Sequence, residues 1–292
     1  MTAGLSGELA QALTAACGVD LARAEVRALG GSIHAARVVR AGGHAFFLKS
    51  GVAAALPVFE AEVDGLAALA ACGAFRVPRV FGCGRSGDEA WLLLEYLELR
   101  PLSSADDGAR FGAALAALHD DVGASFGWPR DNFIGASPQA NTAHAVWARF
   151  FIDRRLRPQL QRARALGYGG ALGAEADAML ERVPALFLDD CPRPSLVHGD
   201  LWHGNAAVDA EGRPALFDPA VHRADREVDL AMSELFGGFP PAFYAAYRSA
   251  RPLAEGYEQR KTLYNLYHVL NHLNLFGRAY LGQAERMVKA LA

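Results

Sequence analysis

The residues with the clearest capacity for chemistry lie between Leu196 and Asp218, in LVHGDLWHGNAAVDAEGRPALFD. Asp200 and Asp218 are carboxylates and Asn205 supplies an amide. Short apolar and β-branched runs surround them, broken by DAEG from Asp209 to Gly212, so the stretch reads as strand, loop, strand, turn, strand. An acid followed five residues later by Asn, and then by an acid closing the next strand, suits metal-dependent phosphoryl transfer. In that chemistry Asp200 orients the attacking hydroxyl and accepts its proton, while Asn205 and Asp218 hold Mg²⁺ against the phosphates of ATP. His198, two residues before Asp200, reads as a brace for the loop rather than a second base. A metallo-hydrolase reading of His198, Asp200 and His203 uses residue types that can ligate metals, but it leaves Lys49, Glu62 and Asn205 unexplained.

Such a centre needs a cation to position the phosphates and a frame to carry it. Extended runs follow Ala24, separated by glycine pairs, and predict a β-meander whose first turn is Gly30-Gly31-Ser32. Glycines there let backbone N–H groups approach phosphates, although paired glycines also make ordinary hairpin turns. Lys49 ends the apolar run Ala45 to Leu48, either reaching solvent or meeting an acid and a phosphate. The next segment, residues 59–73, has Phe59, Val63, Leu66 and Leu69 on one helical face and Gly73 at its end. Glu62 is preferred to Glu60 as the partner of Lys49 because it precedes Leu66 by one helical turn. The apolar run Ala90 to Leu94 predicts a buried strand, and Glu95, Tyr96 and Leu97 follow where a hinge would offer backbone groups to an adenine edge.

The remainder is mostly helical. Ser6 caps a first amphipathic helix that ends at Gly18, and Ser104 caps another with Phe111, Leu115 and Leu118 inward. The loop 126–141 holds Trp128 and Phe133 and reads equally as a substrate-recognition element or as a connector anchored by those aromatics. Asn141 or Thr142 is expected to open a long helix interrupted at Pro158. The arginines along it, Arg149, Arg154, Arg155, Arg157, Arg162 and Arg164, read as a solvated face. Asp225 and Asp229 flank the start of a later helix, one as a cap and the other able to brace the catalytic loop. His268, Asn271, His272 and Asn274 recur near helical spacing and read as packing between helices.

Composition narrows the class. The chain has 292 residues, 52% hydrophobic and 21% charged, with a formal charge of -3, which gives no reason to expect nucleic acid as a partner. No Lys or Arg precedes Arg23, and no apolar run reaches membrane-spanning length, so a soluble cytoplasmic protein is expected. Cys17, Cys72, Cys83 and Cys191 lack metal or disulfide spacing and are expected to be reduced.

Taken together, HGDLWHGN, FDPAVHRADREVDLAMSELFGGFP, GWPRDNFIG and YNLYHVLNHLNLFG resemble the fructosamine kinase, or ketosamine 3-kinase, family within the aminoglycoside phosphotransferase-like superfamily. HGDxxxxN alone marks only the superfamily; the Trp of HGDLW, the FDPA ending and GWPRDNFIG narrow it. The resemblance spans almost the whole chain. It implies an α+β, protein-kinase-like bilobal fold: a small N-terminal lobe over residues 1–97, with an antiparallel sheet, one key helix and the hinge, and a larger, mainly helical lobe over 98–292. It also implies ATP-dependent phosphorylation of the 3-hydroxyl of ribulosamine or fructosamine adducts, on free amines or glycated proteins, with repair of glycation as the role. By the same resemblance Asp200 matches the base, Asn205 and Asp218 the metal ligands, and Lys49 with Glu62 the phosphate-positioning pair. Trp202 and the Asn132-Phe133 loop would border the sugar, and His203, in place of a smaller residue, would alter the pocket mouth. The GGSIHAA loop departs from a more polar GxIN-like turn. Kinases of other small hydroxylated amines and a non-catalytic kinase-fold binding protein are the alternatives.

Overall fold

The computed structural model describes residues 4–30, 33–188 and 191–292. Helix α1 (Gly7–Cys17) is capped by the Ser6 hydroxyl, which accepts from Leu9 N at 3.3 Å, and it ends at Gly18 in the left-handed region. The chain then forms β1 (Glu25–Leu29), β2 (Ala35–Ala41), β3 (His44–Val52), α2 (Leu56–Cys72), β4 (Val80–Ser86) and β5 (Glu89–Glu95). The strands build one antiparallel sheet in the order β1-β2-β3-β5-β4. Alternation along β3 sends Phe46 and Leu48 into the core shared with α1, and Phe47 and Lys49 to the opposite face, over the cleft. Pro57 in the first turn of α2 and left-handed Gly73 after it fix the ends of that helix.

After β5 come α3 (Ala105–Leu118), β6 (Asn132–Ile134), β7 (Ser137–Gln139), α4 (Trp147–Phe151), α5 (Arg157–Ala163) and α6 (Gly169–Arg182). Then follow β8 (Ser195–Val197), β9 (Ala206–Val208), β10 (Pro214–Leu216), β11 (His222–Ala224), α7 (Glu227–Leu235), α8 (Pro241–Ala250), α9 (Tyr257–Phe276) and α10 (Leu281–Leu291). The short strands pair as the ribbons β6-β7, β9-β10 and β8-β11. Asp107 completes a capping box with Ser104 at the start of α3 and also takes a bidentate bond from Arg100. One apolar cluster runs from Phe59, Leu66 and Leu92 into Phe111, Leu196 and Phe243, so elements before and after β5 share a core. Among the described residues no helix is long and apolar enough to cross a membrane.

Two expectations are corrected. The helix assigned to start at Asn141 or Thr142 begins at Trp147, because Asn141 is wholly buried in the preceding loop, its N–H on Asp131 and its side chain on Arg130 O and Asn132. Arg155 does not belong to a solvated face. Its side chain is 1% exposed, donates to Ala140 O at 2.6 Å, Arg154 O at 3.0 Å and Asn141 Oδ1 at 2.7 Å, and lies over the Phe150 ring. Pro158, having no N–H, cannot pair with the Arg154 carbonyl four residues before it, and the Arg155 guanidinium bonds that carbonyl. A wide π turn over Ile152–Leu156 accommodates the break. Arg157 and Arg164, by contrast, are solvated and pair with Asp153 and Asp177.

Candidate active site

The loop between β8 and β9 carries His198, Asp200 and Asn205, and its shape is imposed from below. Gly199 has φ 82, and a Cβ there would stand 2.2 Å from Ala220 O, so only glycine fits the turn. Asp229 of α7, fully buried, accepts from His198 N at 2.7 Å and Gly199 N at 2.9 Å and pairs with His119 Nε2 at 3.2 Å. Burial opposes the Asp229 charge, but the His119 contact and the backbone donor outweigh it and hold the carboxyl below its usual range. His198 Nδ1 accepts from Asp200 N at 3.3 Å, which makes Nε2 the protonated nitrogen that donates to Phe217 O at 3.0 Å. Both nitrogens are thus spent on backbone, as expected of a brace. Asp225 accepts from Glu227 N at the start of α7 and from the Tyr264 hydroxyl, so Asp225 ties down the entry to that helix while Asp229 holds the loop.

Asn205 Nδ2 donates to Asp200 O at 2.9 Å and to Asp200 Oδ2 at 3.1 Å, leaving its amide oxygen for other use. Burial, and then the nearby Asp218 carboxylate, push the Asp200 carboxyl up to about 7. Its side chain keeps 23% of its surface open, and Asp200 lines the cleft. Asp218 is the one non-glycine residue with positive φ, 56°, among those described; a conformation of that kind costs about 1 kcal/mol or more and aims the carboxylate at Lys49. Lys49 Nζ also meets Glu62 Oε1 at 2.7 Å. Burial works against the Lys49 charge, but Asp218 and Glu62 outweigh it and raise its pKa above the ordinary lysine value. Glu60, in contrast, is half-exposed and 3.8 Å from Arg130.

Helix α2 is held to the catalytic side at two further points. Asp64 accepts from Trp128 Nε1, and Gly65 lies against Pro219, where a Cβ would come within 2.9 Å of the ring. The cleft so formed measures about 410 Å³ and includes Gly30, Lys49, Glu62, Asp200, Asn205 and Asp218 in its lining. Phe47 and Asp218 are shared with a neighbouring, mainly apolar pocket of about 210 Å³ that Pro78, Leu94, Tyr96, Leu97 and Phe217 complete. Glu95 also borders that pocket, but its side chain is tied to Arg76 and to Arg79 N. Gly31 and Ser32 lie outside the described residues.

Trp202, Asn132 and Phe133 line the cleft. The Asn132 side chain is already committed: Nδ2 donates to Val221 O at 2.8 Å, and Oδ1 accepts from Gln139 and Asn141. His203 is exposed, packed edge-on against Trp202 with ring centres 4.7 Å apart. Sequence reasoning missed Phe47, Phe217 and His268. Alternation along β3 would have placed Phe47 beside Lys49, and Phe217 directly precedes Asp218. His268 was read as packing, yet its Nδ1 stands 3.9 Å from Asp200 Oδ1, a juxtaposition of residues 68 positions apart that no local pattern announces.

A sheet lobe carrying a lysine–glutamate pair, an apolar pocket beside residues 94–97 and an Asp/Asn/Asp centre define a kinase-fold phosphotransferase. The fold comparison agrees: an aminoglycoside phosphotransferase in ternary complex with AMP-PNP and hygromycin B superposes with TM-score 0.66 at 16% identity over 97% of each chain. The fructosamine kinase profile matches residues 6–292, and the chain belongs to that family. A probable ketoamine kinase of a Synechocystis strain is 47% identical over 89% of this chain and 87% of its own length. A crystal structure from Haemophilus somnus, assigned as a fructosamine-3-kinase, superposes with TM-score 0.90 at 29% identity, covering 97% of this chain and 96% of that one.

Proposed function

We propose that the chain transfers the γ-phosphoryl group of ATP to the 3-hydroxyl of ketosamines, ribulosamine or fructosamine adducts of free amines or protein lysines, and so serves the repair of glycation in the cytoplasm. The observation that carries the reading is the meeting, in one cleft, of Asp200, Asn205, Asp218 and the Lys49–Glu62 pair in a chain of the fructosamine kinase family. Residues 1–97 and 98–292 form the two lobes that bound the cleft in this reading, and the apolar hinge pocket suits an adenine ring, with backbone groups of residues 95–97 at its edge.

Lys49, held by Glu62, positions the α- and β-phosphates. The Asn205 amide oxygen and the Asp218 carboxylate are hard oxygen donors of the kind Mg²⁺ prefers, and the commitment of Asn205 Nδ2 to Asp200 presents the correct atom. When bound there, Mg²⁺ would offset the charge that develops on the phosphates. Asp200 accepts a hydrogen bond from the substrate 3-hydroxyl and takes its proton as the new O–P bond forms and the bond from the γ-phosphorus to ADP breaks; partial burial makes it more basic than an exposed aspartate. Trp202 and Phe133 border the sugar, while Asn132 shapes the wall from behind through its own hydrogen bonds.

The test is ATP-dependent turnover of ribulose-lysine, fructose-lysine and a glycated protein beside other hydroxylated amines, including an aminoglycoside. Asp200→Asn should abolish transfer while nucleotide binding persists. Retained turnover in that variant would overturn the assignment of the base, and preference for a non-ketoamine would overturn the substrate class.

A further inference from the structure

Beyond the groups given roles above, one buried polar side chain faces the reacting centre. His268 lies in α9 and is 4% exposed, and its Nδ1 has no hydrogen-bond partner. Leaving such a nitrogen unpaired in a low-dielectric interior is costly, so the group toward which it points is informative. That group is the Asp200 carboxylate, whose Oδ1 is 3.9 Å away. Its other oxygen, Oδ2, already receives Asn205 Nδ2 at 3.1 Å. The position of His268 is well fixed: its ring packs edge-on against Tyr267 at 5.2 Å, and its carbonyl accepts from His272 Nδ1 at 2.7 Å.

We infer that His268 is a positioning residue for Asp200, donating its Nδ1–H to Oδ1 while Asn205 holds Oδ2, so that the carboxylate plane is fixed between two N–H donors. A small side-chain rotation closes the present separation to hydrogen-bond length. Burial keeps the imidazole neutral, holding its pKa down to about 3, so the ring carries a single proton to place. Each Asp200 oxygen retains a lone pair for the substrate hydroxyl. The inference rests on the reading of Asp200 as the base.

The test compares His268→Leu, which removes the donor at similar volume, with His268→Asn, whose amide nitrogen can occupy the place of Nδ1. H268L is expected to lower kcat at least ten-fold, with KM for ATP unchanged, and H268N to recover most of that loss. Wild-type kcat in H268L would overturn the inference, as would equal losses in the two variants accompanied by weaker nucleotide binding, which would mark His268 as packing alone. Should H268L fail to fold, histidine ¹⁵N NMR of the wild-type protein decides: an Nδ1–H resonance that shifts in D200N supports the inference, and an Nε2–H tautomer overturns it. Turnover by D200N would defeat the assignment of the base separately from either result.

Discussion

Removing the acid beneath the catalytic loop should reveal how much that loop depends on it. Asp229→Ala deletes the acceptor of two buried N–H groups, His198 N at 2.7 Å and Gly199 N at 2.9 Å, and the partner of His119. A buried donor left unpaired costs about 1–3 kcal/mol, so the two backbone groups cost roughly 2–6 kcal/mol. Part of that is returned because the variant no longer buries a charge, which leaves a net destabilisation of about 2–4 kcal/mol. At about 2 °C per kcal/mol for a chain of this size, thermal denaturation should show a Tm lowered by about 4–8 °C. Turnover should fall by more than ten-fold, since a loop displaced by ~1 Å loses reactive geometry. The pH dependence identifies the cause. The folded Asp229 carboxyl lies below its unfolded value, so its contribution is complete above the ordinary carboxylate pKa and is lost as pH falls through the lowered one. The gap between wild type and variant should therefore persist from neutrality to about pH 4 and narrow only in stronger acid. A variant melting within about 1 °C of wild type at pH 7, with unchanged kcat, would refute the reasoning.

Other parts of the structure give equally direct expectations. On the reading proposed for Lys49, Lys49→Met should depress kcat/KM for ATP by at least about a hundred-fold, read from initial rates, whereas Glu62→Gln should do less because Asp218 still pairs with the lysine. Gly199→Ala forces a side chain into a left-handed backbone against Ala220 O; we expect a loss of about 2–4 kcal/mol in urea denaturation, and an unchanged midpoint would count against the turn geometry. Arg155→Lys keeps the charge but not the planar fork that reaches Ala140, Arg154 and Asn141, and should lower stability by about 2–4 kcal/mol in the same assay. Asp107→Asn should cost about 1–2 kcal/mol at pH 7 through its capping box. Because Arg100 and the Ser104 donors hold that carboxyl well below its usual range, the difference should fade as the pH is lowered past about 4.

What could be read from the sequence was whatever sits close together along the chain. Asp200 and Asn205 share one loop, and helical spacing sufficed to favour Glu62 over Glu60. The caps at Ser6 and Ser104 and the strand that delivers Lys49 were legible for the same reason. Which of Asp225 and Asp229 braces the loop was open in the sequence, and is decided by the bonds of Asp229 to His198 N and Gly199 N. The misreadings share the opposite property. Arg155 looks like its solvated neighbours until a loop carbonyl and an asparagine from 14 or 15 residues upstream close over it. The true helix start at Trp147 depends on Asn141 being claimed by residues 130–132. The approach of the buried His268 to Asp200 depends on where α9 is laid, and the commitment of the Asn132 side chain is decided by Val221 and Gln139.

Helix α2 shows what this construction means for control. In a two-lobed kinase, a helix able to swing can hold its glutamate away from the lysine and so keep the enzyme off. Here the same helix is bound to Lys49 through Glu62, to Trp128 through Asp64, and to Pro219 through the bare backbone of Gly65. An outward swing would break all three attachments together. The Lys49–Glu62 pair thus stands assembled in this structure and shares its anchorage with Asp64 and Gly65, so that helix and ion pair are kept or lost as one.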